Sequence, residues 1–406
     1  MRILFLTNVL PFRRRNGGEV CSARLLTELS GIASRVLVLG RGDVGGAPTP
    51  PNLEIHSLAD QAVEFAKLST SGKLISLLHA VAGGKSWTVQ RMSSDGVLDK
   101  LRTWVQGEDF DCVFVDHLQI YEWYQALALD IPAILMAHNV EQQVYRELLQ
   151  TTTGAMARWA LEREHRLLHR LDETAVRTVG AIACLTQEDR EHYVALAREG
   201  GGSATVEVLP SYFDVTGIGI LVPPIPAACA CQAPRIAILG TWTWESNRLG
   251  LEWFLREVLP HIDSACAIVI AGRGLRREEL PERVQYVGFV ESAELFYRAS
   301  DVIAIPSIAG GGVQEKTIEA IGYGIPVVAT SVAVRGISTY PSHVQIVETA
   351  REFATACSQP ISRKVLEAQV EAVIWNDLRR VQYRSALLSL LAAATGRRTA
   401  VGQFAH

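Results

Sequence analysis

Two series of short apolar runs, separated by a proline-rich stretch, constrain the fold of this chain more than any other feature. Within each series, segments of helical periodicity lie between consecutive runs of aliphatic and β-branched residues. Strands that are apolar on both faces and alternate with helices are typical of a parallel, doubly wound sheet. The runs lie at residues 3–6, 36–39, 112–115, 133–136, 181–185 and 206–209, and then at residues 235–240, 267–271, 284–287, 302–305, 327–330 and 344–347. We therefore predict an α/β chain with two such sheets.

The stretch between the two series predicts a domain boundary. Residues 215–234 carry no charge and are long enough to span a membrane, but three prolines near their middle disfavour a helix. We therefore predict an extended linker. We expect an N-terminal Rossmann-like domain at residues 1–214 and a C-terminal Rossmann-like domain at residues 235–374, joined by the linker at residues 215–234. A helix at about residues 375–395 should pack back on the first domain. Residues 396–406 should form a disordered tail. The two domains should face each other across a ligand-binding cleft.

Charge and cysteine content argue against several classes of function. The 406-residue chain has a formal net charge of -4 and no stripe rich in Lys or Arg, so we predict no binding to nucleic acid. Its seven cysteines are an odd number, and several lie inside apolar runs, which favours buried thiols in a reducing compartment. The N-terminal apolar run is too short for a signal peptide. We expect a cytoplasmic protein, and a peripheral position at the inner face of the membrane stays open.

A glycine pair follows the first predicted strand, in Asn16-Gly17-Gly18-Glu19. Gly17 and Gly18 would let backbone N–H groups approach an anion at a helix N-terminus, where the helix dipole favours negative charge. A purely structural turn is the alternative reading of this pair. The preceding Arg13–Arg15 could contact phosphates or lipid headgroups, although we favour a solvated loop. We retain Gly17 and Gly18 as candidates for binding a phosphate of the ligand.

The segment from Ile305 to Thr330 carries the strongest chemical signal in the sequence. A predicted strand ends in a triple-glycine loop, a helix begins near Val313, and another strand follows Pro326. Such a loop presents backbone N–H groups to a diphosphate at the N-terminus of the helix, while side chains one turn in can reach the same ligand. The candidates in the loop are Gly311, Gly312, Val313 and Gln314, and those in the helix are Lys316 and Glu319.

The same segment resembles the donor-binding core of glycosyltransferase family 4, and the resemblance spans most of the chain. Members of that family have the two-domain GT-B fold, use nucleotide-sugar donors and retain the anomeric configuration. The resemblance implies that Glu319, the second Glu of a Glu-x7-Glu motif, binds the ribose hydroxyls of the donor nucleotide. The first Glu falls at Gly311, so the chain is similar to a subgroup with a Gly-Gly-Gly loop and a Lys before the retained Glu. Lys316 is then the candidate cation for the diphosphate.

Two cations that the family usually has after the first strand of its second domain are missing here. Thr241 and Asn247 stand near the positions of the usual Arg and Lys. Arg248, next to Asn247, or Arg273, in Ala271-Gly272-Arg273-Gly274, could supply the missing charge. We therefore predict Arg248 and Arg273 as further donor-binding residues.

His138 follows a predicted strand of the first domain and matches the family's position for a histidine close to the donor sugar. Open α/β sheets bind ligands at the carboxyl ends of their strands, so we predict a catalytic role and keep a structural histidine as the alternative. Asp116-His117 lies at the parallel position one strand earlier. An acceptor-side role and a structural role are both open for that pair.

No metal site is predicted. Asp109-Phe110-Asp111 would match the Asp-x-Asp of metal-dependent transferases, but it adjoins a buried strand, and the family has an acid at the start of this strand. Cys229 and Cys231 have no His or second Cys pair at zinc spacing. Thr186-Gln187-Glu188-Asp189 is typical of a helix N-cap followed by acids in the first turn.

Together these features predict a metal-independent, retaining glycosyltransferase that uses a nucleotide-sugar donor and no cofactor. N–H groups and Lys316 would stabilise the departing diphosphate, whose oxygen accepts the acceptor's proton in a front-face attack while His138 orients the sugar. The acceptor would be a lipid-linked sugar or a small molecule that contacts the region from about Asp60 to Lys100. A nucleotide-sugar epimerase is one alternative, because the GT-B fold also hosts such enzymes. The other is an inactive nucleotide-sugar-binding protein, which would fit the missing Glu and the missing cations.

Overall fold

The computed structural model describes residues 1–14, 16–44, 49–60, 69–93, 95–213, 234–359 and 365–396. The chain divides into two compact units, one of Met1–Leu209 with Arg384–His406 and one of Pro210–Tyr383. Most of the predicted linker and tail lie outside the described residues, as do Arg15, Cys229 and Cys231. Residues 61–68 of the predicted acceptor region also lie outside them.

The first unit is built on a seven-stranded parallel sheet with the strand order β3-β2-β1-β4-β5-β6-β7. Its strands are β1 Arg2–Thr7, β2 Arg35–Gly40, β3 Leu53–Ser57, β4 Cys112–Asp116, β5 Ala133–Ala137, β6 Ala181–Cys184 and β7 Thr205–Val208. Its helices are α1 Gly17–Ser30, α2 Thr70–Ala82, α3 Trp87–Met92, α4 Asp95–Val105, α5 Tyr121–Leu127, α6 Glu141–Thr151, α7 Ala155–Thr178 and α8 Gln187–Gly200. The six apolar runs predicted for this unit are confirmed as strands, and β3 is an additional one.

Acidic residues at the amino end of this sheet stabilise the beginnings of strands. Asp111 immediately precedes β4, and its Oδ2 accepts a hydrogen bond of 2.7 Å from the backbone N–H of Arg2. Glu108 forms ion pairs with Arg2 and Arg35 at the same end of the sheet. Since ligands of open α/β sheets bind at the opposite, carboxyl end, Asp111 is placed for a structural role. Thr186 caps α8 as expected, because its hydroxyl accepts a bond of 3.0 Å from the N–H of Asp189.

The second unit contains a six-stranded parallel sheet with the order β10-β9-β8-β11-β12-β13. Its strands are β8 Arg235–Leu239, β9 Ala267–Ala271, β10 Val284–Gly288, β11 Val302–Ile305, β12 Val327–Ala329 and β13 Val344–Ile346. Its helices are α9 Glu245–Trp253, α10 Ala293–Arg298, α11 Glu315–Gly322 and α12 Ala350–Ser358, and α13 Val365–Thr395 belongs to it up to Tyr383. All six apolar runs predicted here are confirmed as strands.

Alternate residues of β8 and β11 enter separate apolar clusters on the two faces of the second sheet. Ile236 packs with Phe254 and Phe353 in one cluster, whereas Ile303 packs with Ile318 in the other. A strand that is buried on both faces cannot show polar alternation, which is why these strands are continuous apolar runs in the sequence. In each sheet, the first three strands in the chain are added one after another towards one edge, and the later strands are added towards the opposite edge. The reversal falls between β1 and β4 in the first sheet and between β8 and β11 in the second.

The buried face of α13 differs from the stripe that the apolar residues at helical spacing in this helix predict, which comprises Val373, Trp375, Leu378, Val381 and Leu387. Trp375 and Leu387 are buried as expected, but Leu378 and Val381 are 59% and 66% exposed. The buried row instead contains Asn376, whose Oδ1 accepts a bond of 3.0 Å from the N–H of Phe213. It also contains Arg379, whose Nε donates to the carbonyl of Ser211 at 2.6 Å. These polar residues are buried because they satisfy the backbone of residues 211–213, and a stripe drawn from apolar residues alone misses them.

Candidate functional site

The loop after β11 takes its shape from two of its three glycines. Gly310 and Gly312 have φ angles of 122° and 70°, a region that side chains disfavour. The guanidinium of Arg335 closes the loop by donating to the carbonyl of Gly310 at 3.2 Å. A Cβ placed on Gly311 would meet no atom within 4 Å, and this residue has no positive φ. The backbone therefore does not require glycine at this position, which aligns with the first Glu of the motif in glycosyltransferase family 4 that the sequence resembles.

Helix α9 approaches this loop closely because Gly250 has no side chain. A Cβ on Gly250 would lie only 2.4 Å from the carbonyl oxygen of Pro306, the residue that follows β11. This packing joins the segments after β8 and β11, where the strand order of the second sheet reverses. Open α/β sheets bind their ligands at such a point of reversal.

Lys316 lies in a pocket between these segments. The pocket is lined by residues of β8, α9, β11 and α11 and of the segments after β8 and β11, among them Asn247, Gly250, Ser307 and Lys316. The ammonium of Lys316 donates to Oδ1 of Asn247 at 2.8 Å, and the Asn247 amide donates in turn to the carbonyl of Thr241 at 3.0 Å. Burial lowers the pKa of Lys316 to about 8. Lys316 takes part in none of the ion pairs among the described residues, so no carboxylate of that part of the chain neutralises its charge.

Glu319 lies one turn further along α11, where an aromatic residue holds its carboxylate. The hydroxyl of Tyr323 donates to Oε1 of Glu319 at 3.0 Å. The Tyr323 ring packs edge-on against Phe213 with a centroid distance of 4.9 Å, and the Arg298 guanidinium lies 5.8 Å from its centroid. Burial raises the pKa of Glu319. The hydrogen bond from Tyr323 opposes that rise and fixes the orientation of the carboxylate.

Gly312, Val313 and Gln314 directly precede Glu315, the first residue of α11. The side chain of Gln314 is engaged within the loop, because its Oε1 accepts from the Ser307 hydroxyl at 2.8 Å and its Nε2 donates to the carbonyl of Val332 at 3.4 Å. Gln314 would therefore contact a ligand through its backbone N–H. The N–H groups at a helix N-terminus carry partial positive charge, which suits an anionic group.

The two arginines that were predicted to bind the donor lie on the surface of the second unit. Arg248 is exposed on α9 and pairs with Glu252 at 3.2 Å. Arg273 follows β9, and its guanidinium stacks 4.0 Å from the centroid of the Phe289 ring. Neither residue lines the pocket that contains Lys316. Their roles in donor binding stay predictions.

The first unit has a polar cluster at the carboxyl ends of β1, β4 and β5. Asp116, the last residue of β4, is completely buried. Its Oδ2 accepts from the hydroxyls of Thr7 and Ser22, each at 2.7 Å. Its Oδ1 lies 2.7 Å from Nε2 of His138, which follows β5. The structure thus joins the two sequence positions, Asp116 and His138, that were predicted separately.

His117 stacks on His138, with ring centroids 3.8 Å apart and an angle of 28° between the planes. Burial and the neighbouring His138 lower the pKa of His117 to about 3, so this ring is neutral at physiological pH. For Asp116, burial favours protonation, but His117, His138 and the hydrogen bonds outweigh it and bring its pKa to about 2. His117 also has a φ of 93°, a strained conformation for a residue with a side chain. Such strain is frequent at functional sites.

The glycine pair at the start of α1 lies beside this cluster. Oδ1 of Asn16 caps the helix by accepting from the N–H of Glu19 at 3.0 Å. A Cβ on Gly18 would lie 3.8 Å from Cε1 of His117. Within the first unit, the helix N-terminus at Gly17 and Gly18 and the two histidines therefore share one site.

Asp116, His117 and His138 could also be considered as metal ligands, since one potential ligand atom of each lies within 4.8 Å of the others. No other group of this kind occurs among the described residues. A Zn–N bond is about 2.0–2.1 Å long and lies in the plane of the imidazole ring. Two rings stacked 3.8 Å apart with an angle of 28° between them hold their lone pairs in separate, nearly parallel planes, which do not meet within bonding distance of one ion. The cluster suits a hydrogen-bonded carboxylate–imidazole pair better than a metal.

Several residues of these sites were not predicted from the sequence. Thr7 ends β1 exactly as Asp116 ends β4, so the position of a polar residue at the end of an apolar strand could have identified it. Ser22 faces the same carboxylate because it lies one helical turn after Gly18. Asn247 was noted only as a replacement for a cation, and the role of Tyr323 has no signal in the sequence.

The two parallel α/β units define a GT-B fold, and solved structures share it across nearly the whole chain. Sucrose-phosphate synthase from Thermosynechococcus elongatus is 14% identical with a TM-score of 0.59, covering 95% of this chain and 100% of that one. HepE from Anabaena, in complex with UDP and glucose, is 14% identical with a TM-score of 0.61, covering 97% and 99%. The UDP-forming α,α-trehalose-phosphate synthase from Burkholderia vietnamiensis is 13% identical with a TM-score of 0.61, covering 97% and 100%.

A sequence-family match refines this class for the second unit. Residues 233–363, less than half of the chain, match the family described as Glycosyl transferases group 1. This segment contains β8 to α12 and therefore the pocket around Lys316, so the second unit carries a glycosyltransferase domain. No curated protein matches the chain in sequence. None of the helices within the described residues is long and apolar enough to cross a membrane.

Proposed function

We propose that this protein is a retaining glycosyltransferase that moves a sugar from a nucleoside diphosphate-sugar to an acceptor. The observation that carries the proposal is the position of Lys316. Its ammonium lies in a pocket at the reversal point of the second sheet, held by Asn247 and close to the N-terminus of α11. A cation beside a helix N-terminus and a glycine loop is suited to the charge of a diphosphate.

The second unit supplies the donor contacts in this proposal. The N–H groups of Gly312, Val313 and Gln314 and the ammonium of Lys316 bind the diphosphate, and Glu319 accepts hydrogen bonds from the ribose hydroxyls. Tyr323 keeps that carboxylate oriented. We propose UDP as the nucleotide to test first, because HepE binds UDP and the trehalose-phosphate synthases are UDP-forming.

The proposed reaction is a front-face substitution at the anomeric carbon. The bond to the diphosphate breaks with its electron pair passing to the diphosphate oxygen. The acceptor oxygen attacks from the same side, and its proton passes to that diphosphate oxygen, so the configuration is retained. Lys316 and the loop N–H groups stabilise the charge that develops on the leaving group, while His138 orients the sugar.

For the acceptor, we propose a lipid-linked sugar or a small molecule that contacts the first unit within residues 60–100. In the described part of this region, α2 exposes Leu74, Ile75 and Leu78, each by more than half of its surface. This apolar face supports an acceptor with a hydrophobic portion, and it would also support peripheral contact with the inner face of a membrane.

A thermal-shift screen of the full chain against nucleoside diphosphates, followed by the matching nucleotide-sugars, tests the donor assignment. A bound ligand raises the stability of the folded chain by RT ln(1 + [L]/Kd). We expect one nucleoside diphosphate to raise the melting temperature more than the others, and its sugar derivative to do so as well. The proposal is wrong if every nucleotide leaves the melting temperature unchanged at millimolar concentration.

Metal independence is a further expected result. Lys316 and the N–H groups at α11 would supply the positive charge that a divalent ion supplies in metal-dependent transferases. Sugar transfer should therefore continue at an unchanged rate in excess EDTA. Loss of transfer on chelation, with recovery on adding magnesium or manganese, would contradict this assignment of the charge.

A further inference from the structure

We propose that helix α13 binds a second copy of this chain as an antiparallel pair, through a row of apolar side chains that faces solvent. The row comprises Val370, Ile374, Leu378 and Val381, each between 46% and 66% exposed. All four residues belong to the second unit, which includes α13 up to Tyr383. The pairing does not require that the chain transfer sugar.

The part of α13 in the second unit exposes apolar residues while it buries polar ones. Asn376 and Arg379 are buried, whereas the row faces solvent. A surface helix normally has the opposite arrangement. Spacings of four, four and three residues place the row on one side of the helix, over a length of about 16 Å at 1.5 Å per residue. Contiguous apolar surface of this kind typically marks a site of interaction.

A loop of the second unit extends the apolar surface beside the row. The backbone N–H and the hydroxyl of Ser342 donate to Oε2 of Glu371 at 2.9 and 2.7 Å. Nε1 of Trp375 donates to the carbonyl of Thr339 at 2.7 Å. These bonds fasten the loop to α13 on both sides of Tyr340, whose side chain is 44% exposed. Tyrosine is enriched at protein interfaces, so this residue suits the edge of the contact.

The charges next to the row favour an antiparallel copy. Glu371 adjoins the N-terminal end of the row, and Arg380 adjoins its C-terminal end. A twofold axis at the middle of the row, between residues 375 and 376, would bring Val370 opposite the partner's Val381. The same axis would bring Glu371 opposite the partner's Arg380, and it repeats both contacts. A twofold interface has to be complementary to itself, and this surface meets that condition in its apolar row and in its charges.

The acidic residues of α13 disfavour a lipid surface as the occupant. Glu367 and Asp377 are both exposed, one before the row and one beside it. Helices that lie on anionic membranes carry Lys and Arg on their polar side, and these carboxylates would repel the lipid headgroups. A second copy of the chain, with its arginine at the opposite end, fits the surface better.

Sedimentation velocity of the full chain at increasing concentration tests the pairing. The row and Tyr340 form a small surface compared with the roughly 800 Å² that each partner commonly buries in a stable complex. We therefore expect a reversible dimer with a dissociation constant on the order of micromolar. A wild-type chain that is still monomeric at about 200 µM, well above that range, would overturn the proposal.

Leu378→Asp places a charge in the middle of the row and should give a monomer at concentrations where the wild type is a dimer. Leu295→Asp is the matched control, because Leu295 of α10 is 71% exposed in the same unit and lies outside the row. It should dimerise like the wild type. Melting curves at concentrations where every variant is monomeric should coincide, which separates loss of pairing from loss of folding. A Leu378→Asp chain that dimerises like the wild type would contradict the proposal.

Charge reversal tests the antiparallel arrangement. Glu371→Arg and Arg380→Glu each create like charges at both symmetry-related contacts, so each should weaken its own dimer by about tenfold. In an equimolar mixture of the two variants, a dimer with one copy of each has opposite charges at both contacts. We expect that mixture to dimerise as strongly as the wild type in the same sedimentation experiment. A mixture that pairs no better than its two components would refute the antiparallel pairing.

Discussion

Replacing Lys316 by alanine is expected to lower kcat by about 10²–10³, the scale observed when one donor to a developing charge is removed. Gly311 and Asn247 stand near positions where glycosyltransferase family 4, which the sequence resembles, has a carboxylate and a cation, so we propose Lys316 as the cation beside the leaving diphosphate. Binding of a nucleoside monophosphate, which lacks the terminal phosphate, should change little. Steady-state kinetics and calorimetry on the same variant measure the two effects.

Arg248→Ala provides the matched control for this prediction. Arg248 is the neighbour of Asn247 in sequence, but it is exposed and pairs with Glu252. Its removal should leave kcat within a few-fold of wild type, whereas the contribution to donor binding that the sequence predicts would change KM. If instead Lys316→Ala has almost no effect and Arg248→Ala or Arg273→Ala carries the loss, Lys316 is an ordinary helix residue and the assignment fails.

The pH dependence of kcat/KM gives a second measure of the Lys316 effect. Because burial lowers the pKa of Lys316 to about 8, its charge is present below that pH and is lost as the pH rises through it. The value of kcat/KM reports ionisations of the free enzyme, so it should fall above about pH 8. In Lys316→Arg the cation persists at higher pH. Whatever activity that variant retains should lose this alkaline decline, and an unchanged profile would assign the decline to another group.

Replacing Glu319 by glutamine is expected to weaken nucleotide binding by about 1.5–3 kcal/mol, the contribution of a hydrogen bond to a charged group. The corresponding loss of affinity is roughly tenfold to 150-fold. Glutamine keeps the shape and can still accept the bond from Tyr323, so the melting temperature should hardly change. Calorimetric titration with the nucleoside diphosphate measures the effect.

Tyr323→Phe is the companion variant, since it keeps the Glu319 carboxylate and removes its intramolecular donor. We expect a smaller loss of affinity than in Glu319→Gln, because the charge remains while its orientation is less well fixed. Equal affinity of Glu319→Gln and the wild type for the nucleoside diphosphate would show that Glu319 does not bind the ribose.

The strands of both sheets could be predicted wherever burial on both faces made them continuously apolar. β3 was not predicted because only its first residue, Leu53, is buried. The other four residues of this edge strand are partly or fully exposed. Leu378 and Val381 of α13 were wrongly predicted to be buried, because buried polar residues occupy part of the packed face of this helix. Apolar pattern therefore predicts central strands well, and edge strands and mixed helix faces poorly.

For the sites, the sequence could indicate individual residues but not their partners. His138 and Lys316 were predicted from their positions relative to strands and glycines and from the resemblance to glycosyltransferase family 4. Their contacts, Asp116 at 22 residues and Asn247 at 69 residues along the chain, depend on which strands become neighbours in the sheet. The pKa values depend on the same tertiary contacts, so the neutral His117 could not be anticipated either.

Product analysis with a doubly labelled donor tests the central claim most directly. The donor identified by the thermal-shift screen would carry one label in the sugar and another in the nucleotide, and the full chain would be incubated with candidate acceptors. We predict that the sugar label leaves the nucleoside diphosphate and appears in a new glycoside with the donor's anomeric configuration, and that this transfer is about 10²–10³ times slower in Lys316→Ala. A sugar that remains attached to the nucleotide but is isomerised without an acceptor would indicate an epimerase, and a donor that is bound and unchanged would indicate a binding protein. Either result would contradict the assignment as a glycosyltransferase.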